Sequence, residues 1–322
     1  MKKKVFIDGQ AGTTGLVIRE ILKKHEKIEV VEIEDGQRKN IEIKRNLYSQ
    51  VDLVMLCLPD DASKEAVKEI PQNVKVIDTS TAHRTSADWV YGFAELKNAG
   101  NTQREIIKTA TRVANPGCHS TGAVSVIRPL ISEGIASDDY PFFITSITGY
   151  TGGGKKMIES YETHDQNDPS WTVRPYALGL KHKHIPEIVI VSGLKCPPIF
   201  YPMLGDFPQG MLVCIGLENR LLKKNMNARQ IHETLSKYYE GEKFIRVLPF
   251  DDDSILADGV QAHSYLTATN CNNSNNLDIM VFGNESQCLL IARLDNLGKG
   301  ASGAAVQNLN IMLGFNEDDG RI

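Results

Sequence analysis

The residue whose setting most invites chemistry is Cys118, in the stretch RVANPGCHSTGA at residues 112–123. Pro116 and Gly117 end any preceding strand, and the chain from His119 onward reads as the opening of a helix. A thiol at that point lies beside backbone N–H groups without helical acceptors and at the positive end of the helix dipole. Such a setting lowers a thiol pKa. A reference thiol near 8.5 is only roughly 3% ionised at neutral pH, and a drop of about 2 units makes it mostly thiolate. A thiolate of this kind attacks an activated acyl group and forms a thioester, whose carbonyl accepts a hydride; the hemithioacetal then collapses to an aldehyde. The proton on the hemithioacetal oxygen needs an acid or base, which histidine supplies near neutral pH.

A hydride implies a nicotinamide, and the first turn of the chain offers a place for one. The stretch DGQAGTTG, residues 8–15, puts Gly9, Gly12 and Gly15 three apart, with Thr13 and Thr14 opening the next helix. Glycines there let the backbone turn sharply against a pyrophosphate, and the helix start directs N–H groups at the anion. The spacing is G-x-x-G-x-x-G rather than the commoner G-x-G-x-x-G. Glu32, Glu34 or Asp35 would bond the ribose hydroxyls of NAD, whereas Arg38 and Lys39 would pair with the extra phosphate of NADP. The residues themselves leave both cofactors open.

These groups need rigid elements behind them. Lys4–Ile7, Ile28–Ile33, Leu53–Leu58 and Val74–Ile77 read as strands, alternating with helical patterns at Leu16–Leu22 and Ala62–Ile70. Alternation of this kind implies a parallel sheet covered on both faces. The second half reads as strands at Phe142–Ile147, Met211–Leu217, Tyr265–Ala268, Ile279–Phe282 and Gln287–Leu294, with one clear helix, Ala228–Tyr239. That pattern predicts an α/β chain: a Rossmann-type dinucleotide-binding domain, then an α+β domain with a mixed, largely antiparallel sheet. The expected boundaries are residues 1–117 plus a C-terminal helical segment 299–322 for the first domain, and 118–298 for the catalytic and oligomerisation domain.

Composition is compatible with this plan. The 322 residues carry a net charge of −4, 41% hydrophobic and 24% charged residues, so neither nucleic acid nor an anionic membrane is an expected partner. The basic start Met1-Lys2-Lys3-Lys4 is broken by Asp8 before a signal-peptide core forms, and no apolar run approaches membrane-spanning length. The six cysteines are scattered, which fits a cytoplasmic setting with free thiols. No close His/Cys cluster suggests a metal.

DGQAGTTG, DTSTAHRT (78–85), VANPGCHSTGA, TGYTGGGKK (148–156), RPYALGLKHKHIPEI (174–188) and LDNLGKGASGAAVQNLNIMLG (294–314) together resemble the N-acetyl-gamma-glutamyl-phosphate reductase family, in its shorter form. That family is related to the aspartate-semialdehyde dehydrogenases. The resemblance implies NADP-dependent interconversion of N-acetyl-glutamyl 5-phosphate and N-acetyl-glutamate 5-semialdehyde in arginine biosynthesis. It implies Cys118 as nucleophile and a histidine pair before Pro-Glu, matched by His182 and His184. His184 is favoured as acid/base and His182 as a substrate contact, with the reverse order as the alternative. Lys183 stands where the family form usually has arginine, keeping the charge without the bidentate fork. Glu187 would orient a histidine or cap the next element. A substrate carrying phosphate and carboxylate needs cationic clamps, for which Arg84, Arg112 and Arg174 are candidates. Asn115 would fix the loop before Cys118 or donate to phosphate, and Asn308 on the C-terminal helix would meet the nicotinamide. Family members associate as homo-oligomers through the second domain's sheet. The rival readings are reductases of aspartyl phosphate or of carrier-bound aminoadipyl phosphate, a glyceraldehyde-phosphate-type dehydrogenase, and a nucleotide sensor without catalysis.

Overall fold

A computed structural model describes residues 2–98, 101–250, 260–261 and 265–320. The chain divides into two units: residues 1–117 with 301–322, and residues 118–300.

In the first unit, strands β1 (Lys3–Asp8), β2 (Ile28–Val31), β3 (Leu53–Leu56), β4 (Lys75–Asp78) and β5 (Val90–Tyr91) precede a small hairpin of β6 (Lys97–Asn98) and β7 (Asn101–Thr102), and β8 (Arg112–Ala114) follows. Six of them form one sheet in the order β2-β1-β3-β4-β8-β5, with every pair parallel. Helices α1 (Thr13–Lys23), α2 (Ile41–Ser49), α3 (Asp60–Glu69) and α4 (Gln103–Thr109) lie between the strands in sequence. Alternate residues of each strand serve opposite faces. Val5, Ile7, Leu53, Met55 and Ile77 join one apolar cluster with Ile18 and Ile107, while Phe6, Val54, Leu56 and Val76 join another with Tyr48 and Ala66. Continuous apolar runs therefore mark strands buried on both sides.

The second unit opens with α5 (Cys118–Ser132) and continues through β9 (Phe143–Gly149), α6 (Lys155–Thr163), β10 (Val173–Pro175), α7 (Ile185–Ser192), β11 (Ile199–Gly205) and β12 (Met211–Glu218). Then come α8 (Ala228–Tyr238), β13 (Ile245–Val247), a hairpin of β14 (Val260–Gln261) and β15 (Tyr265–Leu266), and β16 (Leu277–Gly283) with β17 (Gln287–Leu294). Seven strands form a mixed sheet in the order β10-β11-β9-β12-β17-β16-β13, parallel only at β11–β9 and β13–β16. Helix α5 lies so close to this sheet that a Cβ on Gly122 would stand 2.5 Å from a Val213 methyl carbon. This close approach settles where the first residues of α5 are held. The opposite face carries the partly exposed row Ile199, Phe143, Gly216 and Leu289, aligned by strand register.

The chain then returns to the first unit. Helix α9 (Gly303–Leu313) buries Ala305, Val306, Leu309 and Met312 in the cluster of Val5 and Ile7.

The second unit holds more helix than the sequence pattern predicts, namely α6 and α7. It also holds β10, β11 and β13, which that pattern leaves out. The expected strand Tyr265–Ala268 is only a two-residue strand in a hairpin outside the main sheet. Among the described residues no helix is long and apolar enough to cross a membrane.

Candidate functional site

Cys118 is the first residue of α5, partly buried, and it follows directly on the Pro-Gly pair that ends the first stretch of the first unit. Around this helix start, within the second unit, stand three imidazoles and a phenol. The His119 ring centroid lies 5.5 Å from that of His182, 5.6 Å from that of His184 and 5.3 Å from that of Phe200. The His182 and His184 centroids are 4.8 Å apart.

Hydrogen bonds order this cluster. The Ser146 hydroxyl, on β9, donates to the Leu212 carbonyl at 2.9 Å, and the Ser146 oxygen stands 2.9 Å from His119 Nδ1. A hydroxyl has one hydrogen to give, so Nδ1 is the donor and Nε2 is left as acceptor. Tyr176 Oη lies 2.9 Å from that Nε2 and therefore donates to it. Burial, with His182 and Lys183 adding to it, holds His119 down at about 3, so the ring is neutral at physiological pH. Tyr176 is pushed upward by burial and by the nearby Cys118.

His182 and His184 come from the segment between β10 and α7. The His184 backbone N–H donates to His182 Nδ1 at 3.1 Å, which puts the His182 hydrogen on Nε2. His182 is held at about 4, by burial first and then by Lys183, against an opposing pull from Glu187. His184 is 5% exposed and occupies the residue before α7, where Pro186 starts the helix. Glu187, in the first turn of α7, is buried. Between Tyr176 and His182 the backbone takes the left-handed conformation twice at non-glycine residues, at Ala177 (φ 53°) and Leu180 (φ 55°). Each costs of order 1–2 kcal/mol. The loop that carries the site is therefore shaped against local preference.

In the first unit, the glycine-rich turn lies between β1 and α1, where the strand order reverses between β1 and β3. Open parallel sheets bind ligands at this point, beyond the carboxyl ends of their strands. Gly9 has φ +91°, and a Cβ there would overlap the Cys57 carbonyl oxygen. A Cβ on Gly15 would stand 2.5 Å from the Gly9 oxygen. Gly12 precedes α1 with no side chain capping the helix start, so Thr13 and Thr14 begin it with backbone alone. This turn fits a pyrophosphate. Beyond β2, Glu32 is held by Arg19 at 2.5 Å and approached by Lys23, which keeps its carboxyl below the usual range. Arg38 pairs with Asp35, while its buried Nε has no hydrogen-bond partner among the described residues.

The remaining expected residues fall in varied places. Arg84 donates from Nε to the Asn115 carbonyl at 2.9 Å and from Nη2 to the Thr79 carbonyl at 3.0 Å. Asn115 is buried, and its amide donates to the Ala301 carbonyl at 3.0 Å, so it fixes the loop before Cys118. Asn308 donates to the Gly92 carbonyl at 2.8 Å and to Asn115 Oδ1 at 3.1 Å. Both its amide hydrogens are thus spent inside the unit, where a nicotinamide contact was expected. Arg112 stands at the amino end of β8, away from the carboxyl ends, and binds the Val74 and Pro71 carbonyls. It braces a loop and is no clamp. Arg174 lies exposed on β10 with its guanidinium 4.3 Å over Trp171.

His119, Tyr176 and Ser146 were not among the expected site residues. His119 follows Cys118 directly, and Tyr176 lies within the RPYALGLKHKHIPEI stretch, so both were in view; their pairing depends on contacts 57 and 27 residues apart in sequence.

Residues 4–103 match the family model of the semialdehyde dehydrogenase NAD binding domain, and residues 118–296 that of the semialdehyde dehydrogenase dimerisation domain. An N-acetyl-gamma-glutamyl-phosphate reductase 2 from Nostoc sp. is 48% identical over 99% of both chains. An N-acetyl-gamma-glutamyl-phosphate reductase from Brucella ovis is 44% identical over 98% of this chain and 100% of its own. Among solved structures, an aspartate semialdehyde dehydrogenase from Francisella tularensis covers 97% of this chain and 100% of its own with a TM-score of 0.69 at 14% identity. Another from Vibrio cholerae gives 0.68 at 16% identity, covering 97% and 99%. The structural likeness concerns the fold, while the sequence matches run end to end, and on them the chain belongs to the N-acetyl-gamma-glutamyl-phosphate reductase family.

Proposed function

We propose that the protein reduces N-acetyl-L-glutamyl 5-phosphate to N-acetyl-L-glutamate 5-semialdehyde and phosphate, with NADPH as reductant, as a step of arginine biosynthesis. One observation carries the mechanism: Cys118 opens α5, and its neighbour His119 packs against the rings of His182 and His184.

The Cys118 thiolate attacks the acyl carbon, the carbon–oxygen bond to phosphate breaks, and a thioester remains. NADPH, with its pyrophosphate held at Gly9, Gly12 and Gly15, would supply the hydride that the thioester carbon accepts. The tetrahedral oxyanion then reforms its carbonyl, the carbon–sulfur bond breaks, and the aldehyde leaves with Cys118 again a thiolate. The oxyanion needs a hydrogen-bond donor or a proton while it exists. His182 is neutral at physiological pH and carries its hydrogen on Nε2, which suits it to donate to the substrate without transferring a proton. This leaves His184 as the acid/base, with Glu187 beside the pair as its orienting carboxylate. Arg174 spends the face of its guanidinium on Trp171, and its in-plane N–H donors suit a substrate carboxylate. Arg84 is assigned to the phosphoryl end, held in orientation by its two carbonyl partners.

For the cofactor, Gly9, Gly12, Thr13, Thr14 and Gly15 would hold the pyrophosphate. Glu32 is already neutralised by Arg19, and Arg38 has an unsatisfied buried donor, so this corner suits a 2'-phosphate better than a bare ribose. The partly exposed apolar row of Ile199, Phe143 and Leu289 supports a second copy of the chain as partner, sheet face against sheet face.

The test is phosphate-dependent oxidation of N-acetyl-glutamate semialdehyde beside aspartate semialdehyde, with wild type and Cys118→Ser. The expected result is turnover of the acetylated substrate alone, abolished in the serine variant while NADPH still binds. Turnover by the variant, or a preference for aspartate semialdehyde, would overturn the reading.

A further inference from the structure

The loop between Tyr176 and His182 keeps a costly shape with little packing of its own. Ala177 and Leu180 are left-handed, while Leu178 and Leu180 are 67% and 54% exposed, so burial within the loop does not offset the strain. The ties lie at its ends. At the far end the His184 N–H donates to His182 Nδ1 at 3.1 Å, and the Ile185 N–H donates to the His182 carbonyl at 3.0 Å. At the near end the Tyr176 N–H donates to the Pro202 carbonyl at 3.1 Å, and the Tyr176 hydroxyl donates to His119 Nε2 at 2.9 Å. That last bond leaves the loop for α5, and its acceptor is fixed. The Ser146 hydrogen goes to the Leu212 carbonyl, so Nδ1 of the neutral His119 ring carries the hydrogen and Nε2 the lone pair. The His182 ring stands edge-on to those of His119 and Phe200, with centroids 5.5 Å and 5.0 Å away.

We propose that His119 is a positioning residue: by accepting the Tyr176 hydroxyl hydrogen it holds residues 177–181 in their strained form and so sets where His182 and His184 stand. The residue after Cys118 thereby references both histidines to the helix that carries the thiol, which the loop could not do by itself. Without that acceptor the loop relaxes toward ordinary backbone conformations, and the pair moves with it. The task asks no proton transfer of His119, in keeping with a ring that burial keeps neutral. The inference rests on reading His182 and His184 as groups of the reaction. Its test follows the loop as well as turnover, so the two can fail separately.

The experiment is limited trypsin digestion of the full chain, with cleavage after Lys181 and Lys183, both exposed, read by peptide mass. Cleavage after Lys237, within α8, is the reference for general loosening. Tyr176→Phe removes one oxygen and strands Nε2 in a residue that is 3% exposed. Cleavage after Lys181 and Lys183 should rise about tenfold, the worth of an unmet buried acceptor, while Lys237 keeps its wild-type rate. His119→Phe should do the same, and combining the two should add nothing. His119→Gln, whose side-chain oxygen can take the phenol hydrogen, should stay near wild type. Adding Leu180→Asn to Tyr176→Phe should bring the rate back toward wild type, because asparagine turns left-handed at less cost. In turnover, kcat of Tyr176→Phe should fall by a similar factor with NADPH affinity unchanged. Unchanged cleavage in Tyr176→Phe, an equal rise at Lys237, additive effects of the two phenylalanines, a His119→Gln rate equal to that of His119→Phe, or no recovery with Leu180→Asn would each overturn the proposal. A relaxed loop with unaltered kcat would leave the tether standing and overturn the pair's part in the reaction.

Discussion

Gly300 lies against Cys118 so closely that a Cβ on the glycine would stand 2.7 Å from the Cys118 Cβ and 3.1 Å from its Cα. The backbone there is tied by the Gly300 N–H to the Asp295 carbonyl at 2.9 Å, so neither side can yield cheaply. Gly300→Ala should therefore displace the thiol while the sheet stays folded. A misplacement near 1 Å lowers turnover by about 100-fold, and the overpacking costs about 1–3 kcal/mol of stability. Steady-state kinetics with urea unfolding checks both, and an unchanged kcat would remove Gly300 as the wall behind the Cys118 thiol.

Stability should fall on mild acidification. His119 is held at about 3 and His182 at about 4, both by burial first. An unfolded histidine titrates near ~6.5, so below that pH the unfolded chain binds protons that the folded chain refuses. The contribution is complete above about 6.5 and is lost progressively down to about 4 for His182 and about 3 for His119. Urea unfolding at pH ~7.5 and ~5 should show the loss, with a shallower slope in His119→Phe. A pH-independent midpoint would contradict the neutral burial of these rings.

The six thiols should separate into two groups. Burial pushes Cys57, Cys271 and Cys288 up to about 12 and Cys214 up to about 11, whereas Cys196 is exposed and Cys118 opens a helix. Brief alkylation near neutral pH, read by peptide mass, should label Cys118 and Cys196 and spare the other four. Labelling of Cys57 ahead of Cys118 would contradict the geometry.

Cofactor choice should follow the charges beyond β2. Replacing Arg38 and Lys39 together by alanine should raise the KM for NADPH by about tenfold or more, the worth of one charge-assisted contact, and leave that for NADH nearly unchanged. Equal efficiency of wild type with both cofactors would refute the preference. Unchanged discrimination in the double variant would clear these two residues of causing it.

The parallel sheet was legible because strands buried on both faces are continuous apolar runs, and Leu53–Leu56 is such a run, closed soon after by Pro59. The second unit was harder. Helix α7 contains Ile188, Val189, Ile190 and Val191, a run with the character of a strand; Pro186 at its start and left-handed Gly193 at its end make it helical. Strand β11 carries Pro202 in its middle, which breaks the usual strand pattern. Cys118 could be singled out because its setting is local. The task of His119 could not, since it depends on Ser146 and on the register that brings Leu212 beside it. The bonds that Asn308 and Arg112 donate were hidden in the same way, because the carbonyls that accept them lie far off in sequence.

The first unit is interrupted after Gly117 and resumes only at Ala301, and α9 then seals the apolar cluster of Val5, Ile7 and Leu53. During translation the parallel sheet must wait, unsealed, until α9 has left the ribosome. Residues 118–300 meet no such delay. This inserted unit can mature first, and the contacts of α9 with β1 and β3 set the pace for the rest.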